Sequence, residues 1–237
     1  MLDGLREGVL AANLELPARG LVTLTWGNAS GIDRDRGLVA IKPSGVAYEA
    51  MTAADLVLVD LDGEVAEGDR RPSTDTPTHV ALYRAFEQIG GVVHTHSTWA
   101  TAWAQAEREI PVLGTTHADL SAFPVPLARA LTDDEIASDY EGATGAVIVE
   151  AIVEQGPLRS PCALVRGHGP FCWGADPAGA VRAAVTLEEV ARIALLTTLL
   201  APAGLPLPDA VRDKHFERKH GPGAYYGQGR QPARDGP

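Results

Sequence analysis

Cysteine, methionine and aromatic residues are all scarce in this chain. Its 237 residues include two Cys, two Met and 5% aromatics. Two cysteines, Cys162 and Cys172, cannot build a disulfide framework, and no CxxC zinc motif is present. A reducing, cytoplasmic compartment is the expectation. Positive charge is also in short supply: 20 Lys and Arg face 31 Asp and Glu, for a formal net charge of −11. A chain of that sign repels nucleic acid and anionic membrane surfaces, so neither is an expected partner. The apolar stretch at 193–202 is too short and interrupted to span a bilayer. The N-terminal MLDGLREGVL carries Asp3 where a signal peptide would place its apolar core. No repeat of solenoid period is visible. Neither a Walker loop nor a Rossmann glycine fingerprint occurs, which disfavours nucleotide binding.

What is present is an ordinary globular balance, 45% apolar and 22% charged. The pattern predicts a helix over 2–16, with Leu2, Leu5, Val9 and Leu16 on one face. Strands are predicted over 21–25 and 37–41, then a hairpin turning at Asp62-Gly63. Thr76-Pro77 begins a helix, GVVHTHS is a short strand, and another helix starts near Ser97. Residues 110–126 read as irregular and strand-like. Thr132 to Glu135 has capping-box spacing before a further helix. Two short strands flank Gly167-His168-Gly169, a long helix runs from Asp176-Pro177 to about 200, and a last one covers 210–219. Hairpin-length links argue against a purely parallel sheet. One three-layer α/β/α domain with a largely antiparallel or mixed sheet is expected.

The strongest chemical signal is His94-Thr95-His96. Residues two apart on a strand face the same way, so both imidazoles can reach one ion, and imidazole is a common zinc ligand. His168, set between Gly167 and Gly169, is a third candidate presented at a strand end. The alternative for each is an ordinary core or turn histidine. His79 reads as structural within its helix. His215 and His220 read as part of a solvated face, and His117 and Asp119 lie in the polar stretch GTTHAD. Three turns, Thr25-Trp26-Gly27-Asn28, Lys42-Pro43-Ser44-Gly45 and Arg71-Pro72-Ser73-Thr74-Asp75, offer N–H and hydroxyl donors that suit a phosphate.

Seven stretches, LVTLTWGNAS, IKPSGV, PSTDTPTH, GGVVHTHS, GTTHAD, GHGPFCWG and KHGPGAYYGQ, occur in that order between Leu21 and Gln228. Together they resemble the class II aldolase family, and within it the L-ribulose-5-phosphate 4-epimerases. The resemblance implies a catalytic domain over 1–226, with a mostly antiparallel central sheet, while the polar, Gly- and Pro-rich composition of 227–237 predicts a flexible tail. The resemblance also implies a homotetramer with active sites between subunits. One divalent ion per subunit, most often Zn2+, would be held by His94, His96, His168 and Asp75. Aldolases of the family carry a Glu base at the last of these positions and the epimerases an Asp ligand. By the same resemblance Asp119 and Tyr226 are the acid–base groups on either side of the C4 oxygen. Tyr226 would arrive from a neighbouring subunit, and His215 lies beside the site. Gly27, Asn28, Ser44, Gly45, Ser73 and Thr74 match the phosphate-side contacts, with Lys42 close by.

The implied reaction is epimerisation of L-ribulose 5-phosphate to D-xylulose 5-phosphate. A metal withdraws electrons from the C2 carbonyl and C3 hydroxyl oxygens, and cleavage of C3–C4 leaves a metal-stabilised enediolate and glycolaldehyde phosphate. Re-addition to the other face of the aldehyde inverts C4. An aldolase of the fuculose-phosphate type that releases its fragments is the alternative. A non-catalytic adducin-like scaffold is a distant one, against which the retained residue set speaks. The chain departs from the family where Leu120-Ser121-Ala122-Phe123 replace the usual aromatic residues and Gly, and where Arg166-Gly167-His168-Gly169-Pro170 replaces HSHGP. The first departure adjoins Asp119 and bears on which pentulose phosphate is accepted.

Overall fold

The computed structural model describes residues 2–202 and 205–226, so the expected tail at 227–237 lies outside the described residues. Its strands are β1 (Asn28–Asp33), β2 (Leu38–Ile41), β3 (Val57–Asp60), β4 (Val65–Glu67), β5 (Gly91–His94), β6 (Leu127–Ala128), β7 (Cys162–Val165) and β8 (Gly169–Gly174). Its helices are α1 (Leu2–Ala18), α2 (Thr76–Ala85), α3 (Thr98–Gln105), α4 (Thr115–Leu120), α5 (Asp133–Ile152), α6 (Pro177–Leu200) and α7 (Asp209–His220). The strands form one sheet in the order β4-β3-β2-β1-β5-β8-β7-β6. Every neighbouring pair is antiparallel except β6 and β7.

Side chains alternate across this sheet as the pleat requires. Val93 and Cys172 face a core built with Val9 of α1, Trp103 of α3 and Leu187 of α6. Val92, Phe171 and Trp173 face the opposite core, with Tyr83 of α2 and Ile148 of α5. The three-layer α/β/α arrangement expected from the sequence is therefore the one observed.

Local signals are borne out where the chemistry is strong. Thr132 Oγ1 accepts from Glu135 N–H, and Glu135 Oε2 accepts from Thr132 N–H at 2.8 Å, the reciprocal capping box of α5. Asp176 Oδ1 accepts from Gly179 N–H at the start of α6. Two expectations fail. Residues 21–25 form no strand, because the backbone turns there: Leu24 has φ 54° and is 76% exposed. The strand is the next segment, Asn28–Asp33, whose small side chains give no β signal. Ala29, Ser30 and Gly31 suit a central strand crowded on both faces. Residues 110–126 are not strand-like beyond one bridge, Ile110 to Val125, and contain the six-residue α4. A helix so short leaves no readable period.

Two buried polar contacts fix the elements that carry the chemistry. Asn13 of α1 donates to the carbonyl of Ala29 at 2.9 Å and accepts from its N–H at 2.8 Å, locking α1 to the start of β1. Glu188 of α6 accepts from Trp99 N–H and Ala100 N–H at 2.8 and 3.0 Å. A carboxylate thus satisfies the first turn of α3, where orphan donors and the helix dipole favour negative charge. Replacing Asn13 with Leu leaves two buried backbone groups of Ala29 unpaired. The expected loss is about 1–3 kcal/mol for each group, read as a lower urea midpoint at unchanged m-value. An unchanged midpoint would show that the α1–β1 lock is not needed.

Candidate active site

The central strand β5 ends at His94, opposite Asn28 of β1 on one side and Phe171 of β8 on the other. The neighbouring turns approach its end closely. A Cβ on Gly27 would lie 2.8 Å from the His94 carbonyl oxygen, and one on Gly169 would lie 2.7 Å from that of Thr95. Gly27 also has φ 78°, which L side chains rarely adopt. These two glycines let the β1 and β8 turns close over the histidine strand.

His94, His96 and His168 converge there, with one ring nitrogen from each lying within 4.8 Å of the others. The Nε2 atoms of His94 and His96 are 3.1 Å apart. His94 Nδ1 lies 3.0 Å from the Pro170 carbonyl, which can only accept, so Nδ1 carries the proton and the Nε2 lone pair faces the cluster. Phe171 stacks on the His94 ring at 4.2 Å. Burial pushes the His94 imidazole down to about 3 and also lowers His168. Imidazole nitrogens converging in this way are a donor set that suits a divalent cation, so these residues fit such an ion.

Asp75, just before α2, faces the same cleft but stands outside that trio. Its Oδ2 accepts from Asn28 Nδ2 at 2.7 Å. Burial pushes the Asp75 carboxyl up, but the neighbouring His94 and His79 imidazoles and the Asn28 amide hold it below the usual range. Asn28 donates also to Ser73 Oγ at 3.0 Å, leaving its buried Oδ1 without a partner among the described residues.

The cleft measures about 420 Å³, and the expected residues Gly27, Asn28, Lys42, Ser44, Gly45, Ser73 and Thr74 all line it. Lys42 is almost fully buried, with Nζ 4.8 Å from the Tyr48 ring centroid and 3.3 Å from the Thr25 carbonyl. No carboxylate pairs with it among the described residues, and burial lowers its pKa. Ser44 N–H and Ser73 N–H are spent on the carbonyls of Arg71 and Lys42, tying the two turns together. An under-neutralised cation at a polar wall suits an anionic group.

Asp119, His215 and Tyr226 lie elsewhere. Asp119 is absent from the residues lining the cleft. Arg218 grips its carboxylate with Nε and Nη2 at 3.1 and 2.8 Å, and His215 Nδ1 lies 3.1 Å from Oδ1. Burial pushes the Asp119 carboxyl up, but Arg218 and His215 hold it below the usual range. The Arg218 guanidinium sits 4.8 Å from the Tyr226 ring centroid, and that ring is 57% exposed. The three residues therefore form one surface cluster built by α4, α7 and the segment after it.

Sequence reasoning missed Arg218 and two cleft residues, Tyr140 and Glu141. Arg218 follows His215 by three residues, one helical turn, and that spacing could have flagged it. Tyr140, whose hydroxyl lies 3.5 Å from His168 Nδ1, enters the cleft because α5 breaks at Asp139 (φ −157°, ψ 77°). No sequence signal marks that break.

The buried histidines carry a pH dependence. Burial holds His94 at about 3 and His79 and His117 at about 4, against about 6.5 in an unfolded chain. Between those limits the unfolded chain binds more protons, so stability is full above pH 6.5 and falls as the pH drops towards 4. Each group contributes a slope of at most about 1.4 kcal/mol per pH unit. The urea midpoint of the metal-free protein should decline steadily over that window; a flat profile would contradict neutral burial.

Comparison with known proteins places this geometry. The model of the Class II Aldolase and Adducin N-terminal domain matches residues 7–195. A relative from Salmonella paratyphi B, named L-ribulose-5-phosphate 4-epimerase UlaF, is 57% identical over 227 residues, covering 96% of this chain and 100% of the relative. Among solved structures, an L-fuculose 1-phosphate aldolase superposes with a TM-score of 0.76 at 23% identity, covering 91% of this chain and 95% of its own, a likeness of fold. The L-fuculose-1-phosphate aldolase of Thermus thermophilus gives 0.67 at 27% identity, covering 86% of this chain and 100% of its own. The matched domain spans most of the chain and contains all three converging histidines, and the chain belongs to the class II aldolase and adducin family.

Proposed function

We propose that this protein is a metal-dependent 4-epimerase of L-ribulose 5-phosphate. The observation that carries the reading is the cleft itself, which three converging imidazoles and Asp75 line together with Lys42, a cation that no carboxylate pairs among the described residues. The 57% identical relative bears the epimerase name. His94, His96 and His168, with Asp75 as a fourth ligand, would hold one divalent ion, Zn2+ by the chemistry of the donors. The ion, when bound, supplies the Lewis acidity that labilises the C3–C4 bond of a ketose.

The protein's own residues do the rest. Lys42, Ser44 and Thr74 bind the phosphate, and Asn28 Oδ1 is free to accept from a substrate hydroxyl. Inversion at C4 needs proton removal from one C4 hydroxyl and proton delivery to the alkoxide of opposite hand. Asp119, held ionised by Arg218, suits the first task and the Tyr226 phenol the second. In one chain both lie away from the cleft, flanking Arg218. The reading therefore has them enter the cleft of a neighbouring subunit in a homotetramer, the catalytic domain being 1–226. A cytoplasmic setting fits Cys162 and Cys172, buried free thiols facing each other across β7 and β8.

The direct test is NMR of L-ribulose 5-phosphate with the metal-loaded protein. D-xylulose 5-phosphate should accumulate without free glycolaldehyde phosphate; release of the aldehyde would identify an aldolase instead. Asp119→Asn and Tyr226→Phe should each keep the metal and lose about 10²–10⁴-fold in epimerisation. A Tyr226→Phe subunit mixed with a His94→Ala subunit should regain activity if the two act across an interface. Mixtures as inactive as either parent would place them on one chain.

A further inference from the structure

Tyr48 is buried in the short turn Tyr48–Ala50 and is not among the residues lining the cleft, yet it touches two of the segments that are. Its hydroxyl lies 2.9 Å from the Trp26 carbonyl oxygen and 2.8 Å from that of Gly27. Burial pushes the phenol up, so it keeps its proton, and between two carbonyls it can only donate. One proton shared between two acceptors makes a three-centre bond. That bond pins the turn leading into Asn28 at the point where Gly27 takes φ 78°.

The same ring carries the buried cation. Lys42 Nζ lies 4.8 Å from the Tyr48 ring centroid, within the range of a cation–π contact. Its other contacts are the Thr25 and Pro43 carbonyls at 3.3 and 3.4 Å, both long for a charged donor. Two carbonyls take at most two of the three ammonium N–H groups. A lysine that is only 2% exposed ordinarily needs a carboxylate beside it. Here a neutral ring stands in that role. The difference matters for a ligand. A carboxylate would cancel the charge and compete with any anion entering the cleft, whereas a π face stabilises the ammonium and leaves its charge available.

We propose that Tyr48 is a positioning residue for the anion end of the cleft: its ring seats the Lys42 ammonium and its hydroxyl fixes the Trp26–Asn28 turn beside it, so that both meet a phosphate monoester in one arrangement. The inference rests on the reading of this end as the phosphate site and adds the group that sets its geometry. Tyr48 acts through Lys42 and the turn, and does not itself touch the substrate.

Inorganic phosphate titrated into the full-length, metal-free protein tests the proposal, because no ion is then present to hold the anion. Binding is followed through the Lys42 Cε–H resonances, assigned by their loss in Lys42→Met. In the wild type the Tyr48 ring current should displace these resonances from those of Lys214 and Lys219, and phosphate should move them saturably. Tyr48→Leu should abolish the displacement and weaken phosphate by about 5–30-fold, the scale of a desolvated cation–π contact. Tyr48→Phe keeps the ring, so it should keep the displacement and recover most of that affinity. In the zinc-loaded enzyme the same variants should raise KM for L-ribulose 5-phosphate in the same order at unchanged kcat, the mark of lost uniform binding. Undisplaced Lys42 resonances in the wild type would overturn the proposal, and this reading needs no folded variant. So would phosphate affinity in Tyr48→Leu equal to wild type, equal losses in the Phe and Leu variants, or a loss that falls on kcat alone. Wild-type resonances that phosphate does not move would instead defeat the phosphate reading, and the proposal with it.

Discussion

The hydrogen bond between His94 Nδ1 and the Pro170 carbonyl is the contact on which the cleft depends. It assigns the proton of a fully buried ring, turns the Nε2 lone pair towards His96 and His168, and ties the end of β5 to β8. Its geometry exists only because Gly27 and Gly169 let the flanking turns touch the His94–Thr95 backbone. A donor set made this way is pre-organised, since burial disfavours the charged imidazolium that would repel a cation.

Around that point the chain separates rigid positioning from exposed chemistry. The ligand candidates come from the ends of β5 and β8 and the start of α2, each anchored in the sheet or in a core. Asp119, His215, Arg218 and Tyr226 sit on α4, α7 and the segment beyond, joined by an ion pair and a cation–π contact near the surface. Such a cluster is held by its own contacts and not by the cleft. Membership of the class II aldolase and adducin family accounts for the first half; the proposed epimerase activity needs both.

Much of the site was legible because short polar motifs do not move relative to their own backbone. His94-Thr95-His96 reads as a pair facing one way, and the turns at Asn28, Lys42 and Ser73 read as donors for an anion. All line one cleft in the structure. The fold was legible where caps and prolines are decisive, as at Thr132 and Asp176. It was illegible at β1, because Asn-Ala-Ser-Gly has the composition of a turn and becomes a strand only under pressure from both layers. The same holds for Tyr140 and Glu141, which depend on a helix break at Asp139 that no proline or glycine announces at that position.

The sequence by itself determined the chemical inventory: which imidazoles, carboxylates, hydroxyls and amine exist, the elements most of them sit on, and the family to which they belong. Only the tertiary structure decided how that inventory divides. Sequence distance put Asp119 closer to His94 than His168 or His215 is, yet folding unites His168 with His94 and sends Asp119 to His215 and Arg218. The reason is physical. Strand pairing sets neighbours by register, so β8 lies beside β5 across a long stretch of chain, whereas the packing of α4 against α7 follows side-chain shape and charge that no local pattern records.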